Sequence, residues 1–266
     1  MTRDAELSYD AIPGFGMVYD AVPAYGARAD VRFYVEEATH SEGPVLEFGC
    51  GTGRILLAIA RAGCTIVGVD ASRAMLERCE AKLLEEPDDL RARVALHERD
   101  VRDFDLGQRF ALVIAPFRVM QHIASIEDQL HFLGAAARHL TPGGRLVFDV
   151  FNPSLRVLVS HDGSEHEDTP ETPLPDGRAF RRAFRVVRVR WLDQVNETEL
   201  VYYISPAPGA PATRYVQGFG MRWYLREELM HLLARGGFRV EALYGDFDRT
   251  PLMDGSPEIV VSATRA

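Results

Sequence analysis

The stretch Val45-Leu46-Glu47-Phe48-Gly49-Cys50-Gly51-Thr52-Gly53-Arg54 constrains the chain more than any other. A short apolar run carries one acid and is followed by glycines at every second position. Arg54 then opens an apolar pattern of helical period, with Ile55, Leu56, Ile59 and Ala60. That order reads as a strand, a tight turn and a helix start. It commits the chain to a β-α unit, and the later elements are placed by their distance from it.

Downstream the alternation repeats. Strands are expected at 44–48, 65–70, 93–97, 109–115 and 145–151, and helices at 54–62, 72–84 and 126–140. Ser72 is placed to cap the second helix. Pro87-Asp88-Asp89 reads as a turn, and Thr141-Pro142-Gly143-Gly144 ends the third helix. Strands that are nearly all apolar, alternating with helices, predict a parallel sheet covered on both faces. Ligands of such sheets bind beyond the C-terminal strand ends, so the loops at 49–53, 70–72, 100–103, 116–122 and 152–155 are expected on one edge.

The pattern then breaks. Residues 161–176 hold six acids, three prolines and no Lys or Arg, and read as a surface loop. Strand-like runs at 180–192, 197–205 and 213–222 form an antiparallel meander inserted after the fifth strand. A helix at 224–235, a strand at 238–244 and a final antiparallel strand at 258–264 close the chain. Before the first strand, residues 1–43 carry Tyr9, Phe15, Tyr19, Tyr25, Phe33 and Tyr34 among prolines and glycines. The part from 25 to 38 is expected to be helical, and the whole to be an arm that seals the core or lids a pocket. The expected division is therefore an arm at 1–43, a main domain at 44–160 and 223–266, and an inserted acidic loop and meander at 161–222 that serves as a substrate lid or dimer contact.

The 266 residues carry a net charge of −9. That balance argues against general nucleic-acid binding, which needs a basic face to displace counterions. No apolar run has the length of a membrane span, and no signal-peptide pattern opens the sequence. Cys50, Cys64 and Cys79 form no CxxC pair, so neither a disulfide framework nor a metal site is indicated, and a cytoplasmic location is expected.

A dinucleotide fingerprint would need a small residue where Arg54 stands. A P-loop would need a Gly-Lys-Ser/Thr that does not follow. The turn instead resembles the E/D-x-G-x-G-x-G motif of class I S-adenosylmethionine-dependent methyltransferases. Asp70, at the end of the second strand, matches the acid that holds the ribose hydroxyls in that family. Asp100 with Val101 matches the position that binds the adenine edge, and Leu140-Thr141-Pro142-Gly143-Gly144-Arg145-Leu146 looks like the family's turn into strand five. The resemblance covers most of the chain. It implies a doubly wound, mostly parallel, seven-stranded Rossmann-like sheet with an antiparallel last strand, plus the small antiparallel β insertion. It also implies that S-adenosylmethionine is held by Glu47, Gly49, Cys50, Gly51, Gly53, Asp70, Ala71, Met75, Asp100, Val101 and Ala115, with S-adenosylhomocysteine as product.

The loop after strand four is where the acceptor sits in the family. Here it reads Ala115-Pro116-Phe117-Arg118-Val119-Met120-Gln121-His122. It lacks the [N/D]-P-P-[Y/F] motif of amino-methyltransferases acting on adenine or glutamine, and the Pro-Cys nucleophile of cytosine-C5 enzymes. His122 is the candidate base, able to take a proton from a hydroxyl or an ammonium. Tyr19, Tyr25, Phe117, Arg118, Gln121, Asn152, Trp223 and Tyr224 are candidate substrate contacts. Small-molecule enzymes similar to glycine N-methyltransferase and the amino-sugar N,N-dimethyltransferases carry a β insertion at this place. The expected activity is methyl transfer to a nitrogen or oxygen of a small molecule, by a monomer or homodimer without nucleic-acid or membrane partners. A protein or peptide methyltransferase, a non-catalytic cofactor-binding regulator and a nicotinamide-dependent dehydrogenase are the rivals.

Overall fold

The computed structural model describes residues 12–159 and 161–266; Tyr9 and the rest of the expected arm before Ile12 lie outside the described residues. The chain divides into two compact units, one of residues 29–153 and 223–266, the other holding the described residues up to 28 together with 154–222.

The first unit is built on β1 (Val45–Phe48), β2 (Ile66–Asp70), β3 (Val94–Glu98), β4 (Phe110–Ala115), β5 (Leu140–Phe151), β10 (Phe238–Tyr244) and β11 (Glu258–Arg265), in the order β10-β11-β5-β4-β1-β2-β3. Pairs among β1 to β5 are parallel, and β11 runs antiparallel to both β5 and β10. β1 is buried along its whole length, because helices cover both faces of the sheet. Leu46, Phe48, Val113 and Phe148 face a core shared with Phe132 and Leu133 of α7 (Ile126–His139) and Leu229 and Leu233 of α9 (Arg226–Arg235). Val45, Leu112, Ile114 and Val147 face the opposite core, with Phe33 and Tyr34 of α3 (Asp30–Thr39), Ile55 and Ile59 of α4 (Arg54–Arg61) and Leu76 of α5 (Arg73–Leu84). Phe48, Phe110, Phe132 and Phe148 are fully buried. Each contributes about 1.5–3 kcal/mol by leaving water.

The expected cap at Ser72 is present, and Ser125 caps α7 in the same way. Ser72 Oγ accepts from the N–H of Met75, and Ser125 Oγ from that of Asp128. The turn expected at 87–89 is instead the start of a short helix, α6 (Asp88–Arg91), with acids in its first turn. The helix expected over 25–38 is broken. α2 (Pro23–Gly26) stops at a glycine, and α3 restarts at Asp30, a buried first-turn acid that pairs with Arg54.

The second unit is an antiparallel sheet of β6 (His166–Pro173), β7 (Ala179–Arg190), β8 (Val195–Ser205) and β9 (Thr213–Arg222), with α1 (Phe15–Asp20), α2 and α8 (Leu155–Val159). The acidic stretch expected to be a loop supplies β6, so the insertion has one strand more than the meander read from the sequence. β6 is an edge strand with two register shifts, and such an edge tolerates Pro170 and Pro173. Its acids are used: Asp168 pairs with Arg182 through two oxygens at 2.9 Å, and Glu167 pairs with Arg181. Arg182 is only 3 % exposed, and its guanidinium also donates to the Tyr25 hydroxyl. Phe15 meets Tyr202 edge-on at 5.6 Å, and the Tyr19 and Tyr25 rings lie 4.7 Å apart. No helix among the described residues is long and apolar enough to cross a membrane.

Candidate active site

β1 pairs with β2 on one side and β4 on the other, so the turns after β1 and β4 leave the sheet side by side. This is the switch point in strand order, where a doubly wound sheet opens a crevice. The two turns touch: a Cβ on Gly49 would come 2.5 Å from a methyl of Val119. Gly49, Gly51 and Gly53 have φ of +66°, +54° and +81°, which side-chain-bearing residues rarely adopt. A Cβ on Gly53 would strike Cys79 Sγ at 2.5 Å, whereas one on Gly51 would meet only Met75 Cε at 3.5 Å. The turn is therefore sealed at Gly49 and Gly53 and open at Gly51.

Glu47 is 2 % exposed, and its Oε2 has no hydrogen-bond partner. Burial pushes its carboxyl well above the usual range, against a smaller pull from Arg54. A buried orphan carboxylate oxygen beside an open glycine turn is what an ammonium group would satisfy. Asp70 is fixed by the N–H of Gly51 on Oδ2 and that of Ser72 on Oδ1, each at 2.8 Å. Each oxygen keeps a lone pair for a vicinal diol. Met75 is buried, Ala71 is exposed, and Ala115 ends β4 inside the core. Cys50 meets the turn only with its backbone: its N–H donates to Val69, and its side chain packs against Gly68 of β2. Val101 is half-buried and packs on the core. Asp100 is held by Arg102 through the guanidinium and the backbone N–H, which keeps its carboxyl below the usual range. An adenine amine would therefore share Asp100 with Arg102. These residues fit the adenosine and amino-acid ends of S-adenosylmethionine.

The turn after β4 is strained and pinned. Phe117 and Arg118 are consecutive non-glycine residues with φ of +59° and +68°. Conformations of this kind cost roughly 1–3 kcal/mol each and persist only where surrounding contacts over-determine them. Asp149 Oδ1 accepts from the N–H of Phe117 at 2.8 Å and from the Tyr34 hydroxyl at 2.7 Å. Arg118 donates to Glu258 at 2.8 Å and lies over the Phe151 ring. A single 3₁₀ turn, Val119–His122, follows. Gln121 is fully buried and accepts from the N–H of Phe151 at 2.8 Å, and the Tyr224 hydroxyl donates to the carbonyl of Met120.

Several residues of the expected substrate set make contacts within the protein. Gln121 anchors the turn to β5. Tyr224 is wholly enclosed and does the same from the other side, and Trp223 is buried beside it. Asn152 donates to the Ser256 carbonyl at 2.8 Å and ties the end of β5 to the loop before β11. Phe117, Arg118 and His122 do share the edge with the glycine turn. Tyr19 and Tyr25 belong to the other compact unit. Sequence reading missed Asp30, Asp149 and Glu258, and named Tyr34 only as one aromatic of the N-terminal arm. All are buried acids or a buried tyrosine within apolar patterns, and the one signal that could have found Asp149 is its place as a lone acid in an expected strand.

The His122 ring is reached by solvent, yet desolvation lowers its pKa to about 4, with the nearby Arg118 charge adding to the shift. A histidine with a lowered pKa is a neutral imidazole at pH 7, able to accept a proton. Among the described residues no His, Cys, Asp and Glu group together as metal ligands. A shallow hollow lined by Ser41, Cys64 and Thr65 lies at the opposite end of β1 and β2 and takes no part in this chemistry.

A methyltransferase domain family matches residues 45–144. The chain is 27 % identical over 230 residues to the dTDP-3-amino-3,4,6-trideoxy-alpha-D-glucopyranose N,N-dimethyltransferase of Streptomyces venezuelae, spanning 86 % of this chain and 89 % of that protein. It is 36 % identical over 110 residues to the cypemycin N-terminal methyltransferase of a Streptomyces species, spanning 41 % of this chain and 42 % of that protein. Among solved structures it resembles the sugar N-methyltransferase KedS8 from Streptoalloteichus sp ATCC 53650, with a TM-score of 0.69 and 25 % identity over 98 % of this chain and 95 % of that one.

Proposed function

We propose that the chain is a class I S-adenosylmethionine-dependent methyltransferase that methylates an amino nitrogen of a small molecule, with an amino sugar as the favoured class of acceptor. The observation that supports the choice of nitrogen is the match to amino-sugar N,N-dimethyltransferases over most of their length, and His122 fits it. A neutral imidazole stands at the end of the turn that packs against the glycine turn. An amine acceptor arrives largely as an ammonium ion and has no lone pair until it gives up a proton. His122 is the group at this edge that can receive the proton as the nitrogen attacks the methyl carbon. Relatives that act on amino sugars cover most of their own length in the match, which supports the acceptor class.

When bound, S-adenosylmethionine supplies an electrophilic methyl carbon on a sulfonium sulfur. Glu47 holds its ammonium group, the open backbone at Gly51 admits its amino-acid end, and Asp70 accepts from both ribose hydroxyls. Met75 and Val101 line the adenine, whose amine is shared by Asp100 and Arg102. S-adenosylhomocysteine is the second product. The rest of the work is alignment and exclusion of water, which suits a displacement whose reactive carbon comes with the cofactor.

The test is direct. Purified protein is incubated with S-adenosylmethionine and a panel of nucleotide-linked amino sugars, and products are read by mass. A mass gain of one or two methyl groups on the amine supports the reading, and transfer only to hydroxyl sugars overturns it. The relative that methylates a peptide N-terminus makes a peptide α-amine the second reading, and a short peptide belongs in the same panel. His122→Ala is expected to slow transfer by about 10²-fold or more while leaving S-adenosylhomocysteine affinity nearly unchanged. Near-normal turnover would remove His122 as the base.

A further inference from the structure

We propose that α3 aligns the two halves of the site: Tyr34 and Asp149 are positioning residues that hold the turn bearing His122 in register with the glycine turn. The proposal rests on the methyl-transfer reading above for its meaning in catalysis, and on geometry for its existence.

Asp30 and Tyr34 lie four residues apart on α3, so they share one face of the helix. Asp30 grips the Arg54 guanidinium with both oxygens, at 2.6 and 2.7 Å. Arg54 opens α4 directly after Gly53, so this pair fixes the exit of the glycine turn. One helical turn later, the Tyr34 hydroxyl donates to Asp149 Oδ1, and the same oxygen accepts from the N–H of Phe117. The Arg54 guanidinium lies 5.1 Å over the Phe117 ring. The contacts thus close into a circuit: Asp30, Arg54, Phe117, Asp149, Tyr34 and back along α3. Asp30, Tyr34 and Asp149 are all fully buried. Hydrogen bonds to a carboxylate in such surroundings are strong and stiffen one another.

The circuit matters because the turn it holds is strained. Left-handed φ at Phe117 and Arg118 relaxes toward ordinary conformations once the tether on the Phe117 N–H is lost. His122 follows four residues later and moves with that relaxation. In-line transfer tolerates little misplacement, with about 1 Å able to cost on the order of 10²-fold in rate.

Tyr34→Phe removes only the hydroxyl donor, and Asp149→Asn keeps an acceptor oxygen while removing its charge. Asp149→Ala removes both. Tyr34→Phe is expected to lower kcat on the order of tenfold and Asp149→Ala about 10²-fold, with Asp149→Asn restoring most of the loss and S-adenosylhomocysteine affinity little changed. Thr141→Val is the reference for stability alone; it deletes a hydroxyl bonded to the Phe110 carbonyl at the other end of the sheet. Two readouts need no turnover. In the ligand-free full chain, amide exchange at Phe117 accelerates in Tyr34→Phe and Asp149→Ala. The imidazole titration of His122, followed by NMR, moves up from about 4 toward the usual histidine range as its surroundings loosen. If Phe117 exchange and the His122 titration stay as in the unaltered protein, and Tm falls only as in Thr141→Val, the alignment proposal is overturned. If both move but no acceptor is methylated by the unaltered protein, the alignment stands and the choice of reaction fails.

Discussion

Glu47 is the residue whose charge state answers most directly to a ligand. Its folded-state pKa is raised above the unfolded value near 4.5 by burial. As pH rises past that value the unfolded chain releases the proton while the folded carboxyl keeps it. Glu47 therefore favours folding at acid pH and loses that contribution as pH climbs toward its raised pKa. Glu47→Gln is expected to flatten this slope, so that the ligand-free variant at pH 8 is at least as stable as the unaltered protein. The same variant binds S-adenosylhomocysteine more weakly. Thermal denaturation between pH 5 and 8, with calorimetric titration, checks both; a variant less stable at pH 8 sinks the assignment. His122 has the opposite sign. Its folded pKa lies below the unfolded one, so its contribution is complete above the unfolded value and fades as pH falls toward about 4. Asp70→Ala removes a fixed acceptor of two ribose hydroxyls, and affinity for S-adenosylhomocysteine is expected to fall by about 1.5–3 kcal/mol. Glu47 and Asp70 were legible because they stand within or one β-α unit beyond the glycine motif. Tyr34 and Asp149 were not, since 115 residues separate partners whose meeting depends on the finished sheet.

At the scale of elements, what could be read was what repeats. The apolar runs of β1, β2 and β4 and the helical periods of α4, α5 and α7 are set by burial on a sheet covered on both faces, and they stand within a few residues of their expected bounds, whereas β5 ends where expected but begins at Leu140 and takes in the stretch 141–144 expected as a turn. β6 was not legible because its strand character comes from its neighbour. Acids and prolines alone read as solvated loop, but β7 offers a free edge and the arginines that those acids need. α1 and α2 escaped for a similar reason: each is a short helix among glycines and prolines, too brief to show a period. The dependence of β6 on its charges is testable. Asp168→Ala leaves the buried Arg182 without its carboxylate and is expected to destabilise the inserted sheet by about 3–5 kcal/mol. Replacing the pair together, Asp168→Ala with Arg182→Met, is expected to recover most of that loss. Urea denaturation read at Trp191 measures it. A single-variant loss below about 1 kcal/mol would place Arg182 among ordinary surface pairs.

For the whole molecule, the question is which part of the chain feels the cofactor. Every residue assigned to S-adenosylmethionine lies in the unit of residues 29–153 and 223–266, whereas β6 to β9 have their own pairing and their own buried side chains. The two tryptophans divide in the same way, with Trp223 buried in the first unit and Trp191 half-exposed at the β7–β8 hairpin of the second. Trp191→Phe therefore leaves a fluorophore that reports the sheet unit, and Trp223→Phe leaves one that reports the insertion. S-adenosylhomocysteine at about a hundred times its Kd adds roughly 2.7 kcal/mol to whatever folds with the site. That addition is expected in full at the Trp223 midpoint, and at the Trp191 midpoint only as far as the two units unfold together. Adding Asp168→Ala separates the midpoints further, because it weakens the insertion while every cofactor contact remains. Ligand stabilisation that appears at Trp191 and not at Trp223 would move the cofactor site out of the glycine turn, against the open backbone at Gly51 and the orphan oxygen of Glu47.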